Sequence, residues 1–64
     1  MGGTDKIFYI KNKQGEYVAD YSTPENIFWV PNRENALEFL DGEEATDTGL
    51  SWGLRESEFS VVEE

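Results

Sequence analysis

Neither cysteine nor histidine occurs in the chain, and in 64 residues that leaves few ways to hold a fold together. A domain this short buries a smaller share of its surface than a large one. Small domains usually add disulfides, a metal or a second subunit to a thin core. Without cysteine there are no disulfides and no thiolate ligands. Without histidine, zinc loses its other common ligand. No metal and no cofactor is expected. What remains is oligomerisation or a compact aromatic core. Nine aromatics are available: Phe8, Tyr9, Tyr17, Tyr21, Phe28, Trp29, Phe39, Trp52 and Phe59. That density suits a small core and argues against a disordered acidic peptide. The expectation is a single domain over residues 6–64, preceded by a flexible N-terminus at 1–5.

Three tyrosines crowd into "FYIKNKQGEYVADY", which reads as a hairpin. "KIFYIK" is β-branched and aromatic, predicting a strand over 6–11, and "EYVADY" predicts its partner. Asn12 favours the start of a type I turn, and Gly15 can close a three-residue loop in the left-handed region. With Lys13, Gln14 and Gly15 in the loop, Asn12 opposes Glu16 and Lys11 faces Tyr17. Continuing the register pairs Tyr9 with Ala19 and Phe8 with Asp20. Side chains alternate between faces. Phe8, Ile10 and Val18 share one face; Ile7, Tyr9, Tyr17, Ala19 and Tyr21 share the other.

"STPEN" is a loop punctuated by Pro24, and "IFWV" a third, short strand ended by Pro31. There Ile27 and Trp29 oppose Phe28 and Val30, so both faces of the sheet need cover. "PNRENALEFLDG" predicts the principal helix, with Asn32 as N-cap and Gly42 just past its end. Its period places Ala36, Leu37, Phe39 and Leu40 in one arc, with Glu34, Glu38 and Asp41 opposite. The segment from Glu43 to Leu54 is open between a short helix and an ordered loop. Asp41 and Glu44 resemble a capping box, but Gly49, Gly53 and two threonines weaken a helix. "ESEFSVVEE" predicts a last strand with Phe59 and Val61 on one face. The expected fold is α+β: an antiparallel sheet of three or four strands, with one principal helix on the Phe8/Ile10/Val18 face.

The net charge of −9 lies entirely in the second half. Residues 1–33 balance four acids with four bases; residues 34–64 carry ten acids and only Arg55. Such a field repels nucleic acid and anionic membrane and attracts basic surfaces; acidity also keeps a small protein in solution. No apolar run reaches membrane-spanning length, and "MGGTDK" has no signal-peptide character. A cytoplasmic address is expected.

Two candidate surfaces follow. Tyrosine serves where one end of a side chain is buried and the other wet. The face bearing Tyr9, Tyr17, Tyr21, Ile7 and Trp29 is therefore a candidate interface for a partner or for a homodimer. The alternative is that these tyrosines cover the back of a thin sheet or lie beneath 43–54. The second surface is acidic: Glu34, Glu38, Asp41, Glu43, Glu44 and Asp47. Catalysis ranks last, because the usual acid–base and nucleophilic partners of histidine and cysteine are missing. "DGEEATD" has oxygen ligands but not the spacing of a calcium-binding EF-hand loop. The few dispersed bases oppose direct nucleic-acid binding.

The plan "FYIKNKQGEYV…NIFWV…ENALEF…EEA…EFSVVEE" resembles small acidic proteins encoded by phages and prophages of Gram-positive bacteria. Those often open on a "YIKN..GEY" hairpin, continue through an "EAL.F" helix and end in an acidic strand. The interruption at 46–53 departs from that plan. The resemblance implies a non-enzymatic protein in a bacterial host cell that binds and blocks a host or defence protein, as anti-restriction and anti-CRISPR proteins do. Its partner would be a protein with a basic or aromatic-accepting surface. Two further readings stand beside it. One is mimicry of DNA phosphates by the six carboxylates; the other is an accessory homo-oligomer without inhibitory activity.

Overall fold

The computed structural model describes residues 6–64; the flexible N-terminus expected at 1–5 lies outside the described residues. Four strands and one helix make an α+β domain: β1 (Phe8–Asn12), β2 (Tyr17–Val18), β3 (Trp29–Val30), α1 (Gly42–Ser51) and β4 (Phe59–Glu63). The strands form one antiparallel sheet in the order β3-β2-β1-β4, so the last strand pairs with the first.

The hairpin turn forms where its residues direct it. The Asn12 N–H donates to the Glu16 carbonyl at 2.8 Å, and Lys11 pairs with Tyr17. The Asn12 side-chain oxygen accepts from the N–H groups of Gln14 and Glu16, an Asx turn that asparagine is suited to make. Gly15 takes a φ of +85°. Beyond that turn the two strands splay. Tyr9 does not meet Ala19, nor Phe8 Asp20: Phe8 pairs with Phe39 and Ala19 with Ala36.

That splay displaces the expected helix. Residues 33–35 form a single 3-10 turn, and Asn32 makes no side-chain cap bond. The following backbone is extended and committed to the sheet. Phe39 exchanges both hydrogen bonds with Phe8, at 2.8 and 2.9 Å; the Leu37 N–H donates to Val18 and the Asp20 N–H to Asn35. A helix through 34–41 would use these same groups internally and leave the splayed strand ends unpaired, a cost of about 1–3 kcal/mol for each buried group. Its apolar arc is dispersed as well. Ala36 joins the tyrosine side of the sheet and Phe39 the other, while Leu40 is exposed.

The principal helix is instead α1, over the segment left open by sequence. Asp41 caps it, accepting from the Glu43 N–H at 2.9 Å. Acids in its first turn complement the helix dipole. Its end is a Schellman motif: Gly53, at φ +93°, donates to Leu50 while Leu54 donates to Gly49. Glycine is the residue that tolerates this geometry. The reversal also returns Leu54 to the core.

Phe8, Ile10 and Val18 lie on one face and Ile7, Tyr9, Tyr17 and Ala19 on the other, as the alternation predicts. Ile10, Val18, Phe39, Ala45 and Phe59 form the larger core, joined by Phe8, Trp29, Trp52 and Val61, with α1 laid over it. Tyr9, Tyr17, Ala19, Val30 and Ala36 form a second, smaller core on the reverse face, with Ile7 and Val62 against it.

Candidate functional site

The tyrosine face is interior. Tyr9 and Tyr17 are only 6% and 8% exposed, with ring centroids 5.5 Å apart in an edge-to-face contact at 76°. The 3-10 turn delivers Ala36 onto this layer and β4 delivers Val62. The tyrosines thus cover the back of a thin sheet. Two residues expected with them lie elsewhere. Trp29 pairs with Val18, and its side chain sits in the larger core on the helix side; the two-residue β3 keeps the alternation but starts it on the opposite face. Tyr21 lies beyond the splay, 59% exposed, with its ring 5.4 Å from that of Phe28.

The wet end of Tyr17 is occupied. Its hydroxyl donates to the Glu64 carboxylate at 2.9 and 3.1 Å. Arg33 Nη1 donates to the same carboxylate at 3.1 Å, and Lys11 Nζ stands 3.8 Å from it and 5.1 Å from the Tyr17 ring centre. Tyr17, Arg33 and Glu64 border an open hollow of about 550 Å3 lined also by Pro31, Asn32 and Glu34. Sequence reasoning missed Glu64, which meets Tyr17 across 47 positions with no local pattern to announce it.

The Tyr17 hydroxyl bond, chiefly, holds the Glu64 carboxyl below its ordinary value of 4.5, helped by the Arg33 bond and the charges of Lys11 and Arg33, against some desolvation. A carboxyl whose pKa falls on folding adds stability above its unfolded value and loses it as pH falls through the folded one. Glu64→Gln should therefore melt below the wild type at neutral pH. The gap should close as the solution is acidified below pH 4.5. A gap that widens in acid would contradict this assignment.

The six predicted carboxylates do not share one arc. Glu34 sits in the 3-10 turn beside the hollow and Glu38 in the extended segment, both exposed. Asp41 is the cap of α1, and Glu43, Glu44 and Asp47 are exposed on it. At 100° per residue the last three share the outer arc with Leu50, which is 41% exposed. The described ion pairs are Lys6–Glu63, Lys11–Glu64 and Arg33–Glu64. Three of the five bases are thereby engaged with the last two glutamates, and no described ion pair reaches the acids of α1. Among the described residues, the outer face of α1 is thus an acidic surface without ion pairs, with an apolar residue within it.

Among the described residues, no group of three or more carboxylates is arranged to hold a metal ion. No helix there is long and apolar enough to cross a membrane. No protein-family model matches the chain, and no curated protein and no solved structure matches it either.

Proposed function

We propose that this is a small non-enzymatic binding protein that regulates or inhibits a bacterial protein. It would dock the acidic outer face of α1 on a basic surface of that partner. The observation that carries the reading is the set Glu43, Glu44 and Asp47, without ion pairs among the described residues, around exposed Leu50. Unpaired charge steers association toward a surface of opposite sign. A half-exposed leucine within the charges supplies the apolar centre that charge alone lacks. The phage origin and the inhibitory role come from the resemblance of the sequence plan.

The test compares capture from bacterial lysate by the wild type and by Asp47→Lys with Leu50→Ser. Both residues are exposed and distant from the cap, so circular dichroism should stay unchanged. The variant should lose at least tenfold of the capture of any specific protein. Raising the salt from 50 to 300 mM should weaken the wild type's capture steeply. Equal capture by both proteins would remove α1 as the docking face. Phosphate mimicry would draw on Asp41, Glu43, Glu44 and Asp47 together. Competition by duplex DNA for the captured protein would select that mechanism, and indifference to DNA would exclude it.

A further inference from the structure

The outer edge of β4 is an unblunted strand. Natural edge strands are guarded by proline, lysine, bulges or short length, because open N–H and C=O groups template pairing with another chain. The opposite edge, β3, has two residues and runs into Pro31. β4 has five, Phe-Ser-Val-Val-Glu, in continuous register with β1 and without a bulge. Its hydrogen-bond phase follows from one contact. The Glu64 N–H donates to the Ile7 carbonyl at 3.0 Å, so Ile7 and Glu64 are a hydrogen-bonded pair. Such pairs recur at every second residue of an antiparallel ladder. Ser60 and Val62 therefore bond inward to Lys11 and Tyr9, while Phe59, Val61 and Glu63 aim their N–H and C=O groups outward. The other side of β1 agrees: Phe8 and Asn12 bond away from β4, to Phe39 and Glu16. No side chain among the described residues bonds to those outward groups.

We propose that this edge is a strand-addition site for an extended basic segment of the partner. The inference rests on the reading of a basic partner and adds a contact at the sheet edge to that on the helix face. A residue opposite Val61 would lie on the helix side of the sheet, since directly paired residues share a face. There it meets a cleft of about 240 Å3 lined by Thr46, Glu56, Phe59, Ser60 and Val61, which takes an apolar side chain. On the reverse face the central position lies beside half-buried Val62. The two ends of the edge are acidic: Glu56 and Glu58 before it, and Glu63 at its close, where exposed Lys6 stands 3.8 Å from the carboxylate. The matching segment is apolar at its centre and basic at both ends. A second copy would bring its own net charge of −9 against those same glutamates. Main-chain bonds would supply affinity and the alternate side chains selectivity, as in other strand additions.

The probe is a capped heptapeptide of three central valines flanked by two arginines on each side. The protein is made by total synthesis with and without an N-methyl group at Val61, which removes one outward N–H and leaves the ladder to β1 intact. The peptide should slow amide exchange at Phe59, Val61 and Glu63 at least tenfold. N-methylation should weaken binding at least tenfold, with unchanged circular dichroism. Glu56→Lys with Glu63→Lys should do the same if N-methylation proves disruptive. Asp47→Lys with Leu50→Ser should cost less than threefold. That pattern supports the edge whatever the lysate capture says about α1. Peptide binding indifferent to N-methylation, or no binding at millimolar peptide, overturns the edge and leaves the helix-face reading to its own test. Amide protection that rises with concentration of the protein alone, with doubled mass in sedimentation, overturns it in favour of a second copy.

Discussion

Replacing Tyr9 by alanine should unfold much of the protein at room temperature. The residue is buried among Tyr17, Ala19, Val30 and Ala36, with Ile7 and Val62 closing over it. Removing a buried aromatic ring costs about 3–5 kcal/mol, in transfer free energy and in the cavity left behind. A single thin core in a chain of this size supplies only about 3–5 kcal/mol in total. The two magnitudes are equal, so the substitution removes nearly all the stability there is. Tyr21→Ala is the control: that ring is mostly exposed, and its loss should cost about 0.5 kcal/mol. Thermal melts followed by circular dichroism decide the matter. Should Tyr9→Ala melt like the wild type, the tyrosine layer is not a core, and its candidacy as an interface returns.

Gly49→Ala should also destabilise, against the direction that helix propensity predicts. In an exposed helix, glycine to alanine gains about 0.8–1 kcal/mol. Here a Cβ on Gly49 would lie 2.7 Å from Phe59 Cζ and 2.9 Å from Cε2, inside van der Waals contact. The ring is buried and walled by Ile10, Val18 and Ala45, so it has little room to retreat. Overpacking of this kind costs about 1–3 kcal/mol. The packing penalty wins, and a net loss of up to about 2 kcal/mol is expected. In a Phe59→Leu background the obstructing ring atoms are gone, and the same alanine should become neutral or stabilising. Urea midpoints for the four proteins of this cycle measure the coupling between the two positions. Additive effects would show that the ring does not set the cost.

Gly49 also shows why the helix was hard to read. The segment 42–51 carries two glycines, two threonines, an aspartate and a serine, a composition that disfavours helix by residue count. What stabilises it is close approach. With Ala45 and Gly49 on its inner face, the helix lies near enough to the sheet for the Phe59 ring to pack on its backbone. Gly49, which weakens the helix in isolation, is the residue that lets it dock. The legible trace was its start, Asp41 ahead of Glu44; Gly53 counted against a helix in the sequence, yet it is the residue on which the chain reverses. The amphipathic run at 34–41 was the stronger local signal, yet tertiary context overrode it. Its backbone pairs with Phe8 and Val18, a demand no window on that segment contains.

The candidate surfaces divide along the same line. Alternation alone placed Tyr9 and Tyr17 together opposite Phe8, Ile10 and Val18, because a strand has a period of two whatever covers it. Whether that layer is wet or dry depended on Ala36 and Val62 arriving from distant parts of the chain. The acids of α1 were legible as charge but not as a face, since a face requires knowing which turns are helical. The edge of β4 was invisible, because an edge is defined by the strand order β3-β2-β1-β4 and not by β4 itself. Local chemistry by itself determined the Asn12–Gly15 turn, the two-sided sheet, the acidic second half and the absence of disulfides. Tertiary structure decided which segment became the helix, which aromatics are buried and which strand stands open. Those outcomes depend on backbone groups and small residues finding partners far along the chain, and such partners leave no periodic mark in the sequence.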